Sequence, residues 1–248
     1  MNKKLSFLLA VLLFALLFVG CKKTDEKTAE TKNEAAETKT EAATISGEEL
    51  NKIEEDNKEK ENYLVIDVRD AEEYLAGHVK HAINIPVAEI EADPAKALAP
   101  IEGWKDKKVV TICNTGKKSA KAQELMLANG FKTVLNAAGV KDFSYDTITK
   151  AKTVMGAEFQ ELVKKGDATI LDMREEKDYN EARIPGAINT TADTVEQILD
   201  QIPKDKPVLT YCYTGNRSFA VAHKLAELGY DVTNAWDGSK EFEYEMEK

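Results

Sequence analysis

Two seven-residue segments carry the chain's chemical potential. Cys113-Asn114-Thr115-Gly116-Lys117-Lys118-Ser119 and Cys212-Tyr213-Thr214-Gly215-Asn216-Arg217-Ser218 each follow an apolar run, Val109–Ile112 and Val208–Tyr211. Each also opens an amphipathic helical pattern. A thiol at a strand end, ahead of a short glycine loop and a helix start, is placed to become a thiolate facing an anion. The thiolate is the nucleophile, and a free cysteine titrates near ~8.5, so little of it is ionised at neutral pH. Amide N–H groups curling round the sulfur, and the helix N-terminus beyond, favour the anion. Gly215 supplies a positive φ, and Arg217 a planar fork for an anionic group. Ser218 suits a helix N-cap and can donate to the sulfur. The competing reading of a strand-end cysteine is a buried apolar filler. The Gly, Arg and Ser at these spacings weigh against it for Cys212. They weigh less for Cys113, where Lys118 replaces the arginine and gives up its bidentate geometry.

The elements that must position these loops also occur twice. Leu64–Arg69 matches Thr169–Arg174, Glu73-Tyr74 matches Asp178-Tyr179, and Ala82-Ile83-Asn84 matches Ala187-Ile188-Asn189, all at an offset of 105 residues. The cysteine loops, Gly130-Phe131 with Gly229-Tyr230, and Lys141–Phe143 with Lys240–Phe242 are offset by 99. The first copy therefore holds six extra residues, which we assign to 92–104. So long a period is domain-sized, and we expect domains at 45–150 and 151–248.

Within each domain, short apolar strands alternate with helices, which implies a parallel sheet covered on both faces. Strands are expected near 63–67, 82–85, 109–113 and 133–136, then 168–172, 187–190, 207–212 and 231–235. Helices are expected near 47–57, 71–76, 117–129 and 140–150, then 157–165, 194–201, 217–228 and 239–246. Such sheets carry their active loops at the C-terminal ends of strands, where both cysteines fall.

Residues 1–20 read as a secretory signal: Lys3 and Lys4, an apolar run from Leu5 to Val19, then Gly20 before Cys21. The run is shorter than the ~20 residues of a spanning helix. Phe18–Cys21 resembles a bacterial lipoprotein cleavage box, which implies lipidation of Cys21 and a protein exported and anchored to a bacterial membrane. Residues 22–44 lack Ile, Leu, Val and aromatics, and with Cys21 read as a disordered tether. The chain's formal charge is −10, and losing Lys3 and Lys4 with the signal leaves −12. That balance disfavours nucleic acid as a partner. One thiol per domain, with no Cys-x-x-Cys and no histidines beside the thiols, points to no metal and no structural disulfide. A Cys113–Cys212 bridge would join two loop tips and is disfavoured.

The Cys-x-x-Gly-x-Arg-Ser loop resembles the active loop of rhodanese sulfurtransferases. Asp67-Val68-Arg69 with Gly77-His78-Val79 and Ala82–Pro86, and again Asp172-Met173-Arg174 with Arg183–Asn189, resemble that family's upstream signature. The similarity spans about residues 45–248. It implies two tandem α/β domains and a covalent persulfide as the only carrier, with no separate cofactor. The cysteine would take a sulfane sulfur from a small sulfur anion such as thiosulfate or polysulfide and pass it to cyanide or a thiol. Cys212 would carry the sulfur, the loop amides of 213–218 would cradle it, and Arg217 would hold the departing oxyanion. Asn114–Ser119 would form the corresponding cup around Cys113. His78 is expected to be structural, and Asp67, Arg69, Asp172 and Arg174 to tie neighbouring loops and the acids that follow them. A phosphatase loop also pairs Cys with Arg, but it needs one more residue than the four between Cys212 and Arg217. The stronger rival is a non-enzymatic carrier of sulfane sulfur or an interaction module.

Overall fold

In a computed structural model, residues 43–248 are described. The signal segment, Cys21 and the tether through residue 42 lie outside the described residues. In chain order the elements are β1 (Thr44–Ile45), α1 (Gly47–Glu55), β2 (Tyr63–Asp67), α2 (Ala71–Ala76), β3 (His78–Val79), β4 (Ile83–Asn84), α3 (Val87–Ala92), α4 (Pro94–Leu98), β5 (Lys108–Ile112), α5 (Lys117–Ala128), β6 (Thr133–Ala137) and β7 (Ile148–Thr149). The second half continues with β8 (Lys152–Val154), α6 (Gly156–Lys165), β9 (Thr169–Asp172), α7 (Glu176–Glu181), β10 (Ile188–Asn189), β11 (Val208–Tyr211), α8 (Asn216–Glu227) and β12 (Val232–Ala235). Thr44, which the sequence assigns to the tether, begins β1 and pairs with Asn136.

Both halves are five-stranded sheets, ordered β1-β6-β5-β2-β4 and β8-β12-β11-β9-β10. Every pair within them is parallel. The same topology is thus built twice, as two α/β domains. The strands are apolar at consecutive positions because both faces are covered. Leu64, Ile66 and Val109 enter one core layer, while Val65, Val110 and Ile112 enter the layer on the opposite face. Leu171 and Val208 are likewise separated from Ile170 and Leu209 in the second half.

The halves share packing. Met155 and Trp236 of the second join the first half's core, and Trp236 meets Trp104 edge-on at 5.1 Å. Strand β3 pairs antiparallel with β7 inside the first half, and across the halves the Thr153 amide donates to the Tyr74 hydroxyl at 3.0 Å.

The structure corrects four expectations. Residues 140–150 and 239–246 are not helices. Their amides are spent on the cysteine loops: Val140 and Lys141 donate to the carbonyls of Cys113 and Asn114, and Ser239 and Lys240 to those of Cys212 and Tyr213. The helical spacing of Phe143 and Phe242 serves to seat each ring on a helix-start glycine, Gly47 and Gly156, whose missing Cβ leaves the space. Residues 195–201 form a 3-10 rather than an α-helix. The edge strands β1 and β8 are too short for a periodic signal. The extra residues of the first copy fall in α3, α4 and the 3-10 turn at Ala99–Trp104, where the second half has only its 3-10 segment.

Candidate active site: two cysteine loops

Cys113 and Cys212 stand immediately after the central strands β5 and β11, at their C-terminal ends. Both are buried free thiols. The chain leaves each strand, turns through Gly116 (φ +76°) or Gly215 (φ +75°), and enters a twelve-residue helix. These left-handed conformations favour glycine. A Cβ on Gly215 would also come within 2.3 Å of the Trp236 carbonyl oxygen. The bracing segments press closer still: a Cβ on Gly139 would lie 2.1 Å from the Asn114 oxygen, and one on Gly238 1.9 Å from the Tyr213 carbonyl carbon. Each loop is therefore locked from behind by a glycine shortly after the neighbouring strand, two residues past β6 and three past β12.

Around the sulfurs, Ser119 donates its amide to Cys113 Sγ at 3.4 Å, while its hydroxyl donates to Asn136 Oδ1 at 2.6 Å with the oxygen resting 3.2 Å from the sulfur. The Ser218 hydroxyl lies 3.4 Å from Cys212 Sγ and 3.2 Å from the Gly215 carbonyl oxygen, with one proton to serve the two. Neither serine caps a helix, which corrects the N-cap expectation; the helices start at Lys117 and Asn216, with glycine at the cap. None of the amides of 114–118 or 213–218 donates to an acceptor among the described residues. These open donors sit at a helix N-terminus, a ready anion site. The sulfurs also touch hydrocarbon. Cys212 packs in the layer of Leu171, Val208 and Val221, and Cys113 in that of Leu64 and Val109. No loop amide donates to Cys212 Sγ, so the expected ring of amides on that sulfur is not formed; the loop amides are open donors, and the one polar contact to the sulfur is the Ser218 hydroxyl.

The loop cations are engaged. Arg217 Nη1 bonds Glu175 Oε1 at 2.5 Å, and that bond holds the guanidinium above its usual value. Lys118 Nζ reaches Asp70 at 3.1 Å and Glu73 at 3.8 Å, with the Asp70 bond raising its pKa. Tyr213 donates to Asp178, and the Glu175 amide donates to its hydroxyl at 3.1 Å. Asn114 Nδ2 donates to Glu73 at 2.6 Å. Thr115 and Lys117 point to solvent, whereas Thr214 and Asn216 are half-buried. Asn216 Nδ2 lies 3.4 Å from Thr214 Oγ1 and donates to the Asn57 carbonyl of the first half at 3.1 Å. The acids Asp70 and Glu175, and Glu73 and Asp178, recur at the 105-residue offset, the signal that could have revealed them from sequence.

Asp67 and Asp172 pair with their own neighbours rather than with the following acids. Arg69 and Arg174 grip them at 2.5 and 2.7 Å and extend to the Gly77 and Ala182 carbonyls. These buried, bidentate pairs fix the turn after β2 and β9. In the second half Tyr211 adds a 2.5 Å bond to Asp172; burial, then Asp172, raises its pKa, so it stays a donor. His78 is buried against Tyr74, with its ring nitrogens 2.8 and 3.0 Å from the Tyr74 and Ala151 carbonyls. The sequence suggests only a structural role, and these contacts place the ring between the two halves.

The rhodanese-like domain model matches residues 48–144 and again 155–245. The chain belongs to the rhodanese family, with two such domains in tandem. It is 40% identical over 72 residues to the thiosulfate sulfurtransferase GlpE of Tolumonas auensis, covering 29% of this chain and 68% of that protein. It is 38% identical over 79 residues to the GlpE of Coxiella burnetii, covering 32% of this chain and 74% of the relative. Among solved structures it is similar to an E. coli rhodanese with anions, at 36% identity and a TM-score of 0.31, covering 36% of this chain and 99% of that one.

Proposed function

We propose that this protein is a sulfurtransferase that carries a sulfane sulfur on Cys212. The observation that supports it most is the buried thiol at the base of a loop whose amides have no acceptor of their own. In the first step the Cys212 thiolate attacks the outer sulfur of thiosulfate. The S–S bond of the donor breaks and sulfite leaves with the electron pair. In the second, cyanide or a thiolate takes the outer sulfur from the persulfide and Cys212 returns as thiolate. The free amides at the start of α8 accept the charge of the outer sulfur. Arg217 exchanges Glu175 for the sulfur oxyanion during donor binding. Cys113 and residues 114–119 act in the same way with a weaker anion grip. No cofactor beyond the persulfide is required.

We further propose that Cys21 carries a lipid and that the protein works on the outer face of a bacterial membrane, with residues 22–42 as spacer. The complete burial of both sulfurs, which restricts an acceptor's approach, favours a carrier that holds sulfur as the second reading. Intact mass after thiosulfate and then cyanide separates the two. A gain of one sulfur atom that cyanide removes, absent in Cys212→Ser, supports the enzyme. A persulfide that no acceptor discharges supports the carrier, and no adduct at either cysteine rejects both.

A further inference from the structure

Asn216, Phe219, Ala220 and His223 fall on one face of α8, at positions i, i+3, i+4 and i+7. The residues 99 positions earlier on α5 are Lys117, Ala120, Lys121 and Glu124, charged at all but one place. In the second copy this face lies against the first half. The His81 ring packs 4.5 Å from that of Phe219, and Asn216 Nδ2 donates to the Asn57 carbonyl at 3.1 Å. Lys60, buried with its Nζ 3.3 Å above the centre of the Trp236 ring, fastens the segment that supplies Asn57. The docking is incomplete. It leaves a cavity of about 280 Å³ between the α8 face and Asn57, Lys80 and Asp146–Ile148. Two opposite charges border that space without meeting. Lys80 Nζ donates to Asn57 Oδ1 at 2.8 Å and has no carboxylate partner among the described residues. Asp146 Oδ2 accepts from Asn51 Nδ2 at 2.9 Å and has no cationic partner among them.

We propose that this cavity binds a free α-amino acid with an apolar side chain, its carboxylate on Lys80, its ammonium on Asp146 and its side chain against Phe219 and Ile148. The proposal is independent of sulfur transfer.

The lining selects that class. Small-molecule sites pair an apolar floor with a few convergent polar groups. Here the floor is Phe219, Ala220 and Ile148, the last 42% exposed although apolar. The volume stands at the small end of ligand cavities, ~300 Å³ upward, and suits one amino acid rather than a peptide. A ligand with a single charge would answer only one of Lys80 and Asp146, whereas a zwitterion answers both. Lys80 is half-buried, and burial pushes its pKa down against the pull of Glu54, Asp56 and Glu55, so a carboxylate beside it relieves a real cost. Asn216 Oδ1 and Thr147 Oγ1, on two further lining residues, have no hydrogen-bond partner among the described residues. His223 bounds the end away from Asn216, its Nδ1 fixed 2.9 Å from Thr149 Oγ1. The charges come from the first half and most of the floor from the second, so the site exists only where the halves meet. No such cavity can form on α5, where Lys117, Lys121 and Glu124 face solvent.

The test is isothermal titration of the full chain with L-leucine, L-methionine and L-phenylalanine. Each is compared with its methyl ester, which lacks the carboxylate, and its N-acetyl derivative, which lacks the ammonium. At least one free amino acid should bind at a single site per chain, and both its derivatives should bind about tenfold more weakly. Lys80→Met should weaken the free amino acid by about the same factor and erase its advantage over the ester, while Lys80→Arg keeps most of the affinity. Asp146→Asn should erase the advantage over the N-acetyl derivative. Ala220→Trp, which fills the cavity from an exposed position and spares both charges, should abolish binding. No binding of any of the free amino acids overturns the inference. So do derivatives that bind as well as the parent, or binding that survives Ala220→Trp. If Lys80→Met does not fold, Asp146→Asn and the ester decide. Titration needs no sulfur donor, so a protein that never accepts sulfur on Cys212 still shows the binding. Persulfide formation without amino-acid binding would remove this inference alone.

Discussion

The Cys113 and Cys212 loops share a scaffold and differ in what lies over them. Both follow a central strand, turn at a left-handed glycine, hold a serine hydroxyl against the sulfur and are braced by a glycine segment. The first loop leaves Thr115, Lys117 and Lys118 exposed. Over the second lie Asn57, Lys60 and His81 from the other half of the chain. The backbone thus sets each cysteine at a strand end ahead of open amides, and the side chains from outside the loop are where the two differ. Duplication preserved the first property and left the second free to diverge.

The comparison is broken most severely at the sulfurs. Cys212→Ser is expected to lower thiosulfate:cyanide turnover by about a hundredfold or more, and Cys113→Ser by about threefold or less. Steady-state assays on both variants check the ranking, and equal losses would make the sites equivalent. Next comes the brace. Gly238→Ala forces a Cβ into the Tyr213 backbone and should cost about 2–3 kcal/mol. It should disturb Cys212 alkylation while sparing Cys113, which thermal unfolding and peptide mapping read together.

Arg217→Ala should raise the KM for thiosulfate about tenfold and change iodoacetamide alkylation of Cys212 far less. Lys118→Ala should leave turnover nearly unaltered. A uniform loss in Arg217→Ala would point to a collapsed loop. The last effect is read in stability rather than turnover, at buried Glu54 beside Lys80 and Lys60. The folded-state pKa of Glu54 is about 8 against 4.5 for the free side chain, so the folded protein holds the extra proton between those values. Its contribution is then fully present below pH 4.5 and is lost as pH rises through 8. Glu54→Gln should flatten the fall in Tm across that window; an unchanged slope would place the carboxylate in water.

Much of this was legible in sequence, for local reasons. The runs Leu64–Asp67, Val109–Ile112 and Val208–Tyr211 carry β-forming, doubly buried residues and fold as read. The cysteine–glycine–serine spacing fixes the turn and the serine–sulfur contact. The helices expected at 140–150 and 239–246 fail because an amphipathic period cannot show that Val140 and Ser239 amides are claimed by distant carbonyls. The engagement of Arg217 by Glu175 depends on two loops meeting. Lys60 was the least legible residue of all: its burial comes from Trp236, far along the chain, and nothing in its charged neighbourhood announces it.

The most direct measurement locates the transferred atom. The full chain, treated with thiosulfate and digested without reductant, is expected to show one added sulfur on the peptide holding Cys212. That label should disappear on brief exposure to cyanide, with thiocyanate released in equal amount. Sulfur found only on the Cys113 peptide, or an unmodified Cys212 that still reacts with iodoacetamide, would contradict the account.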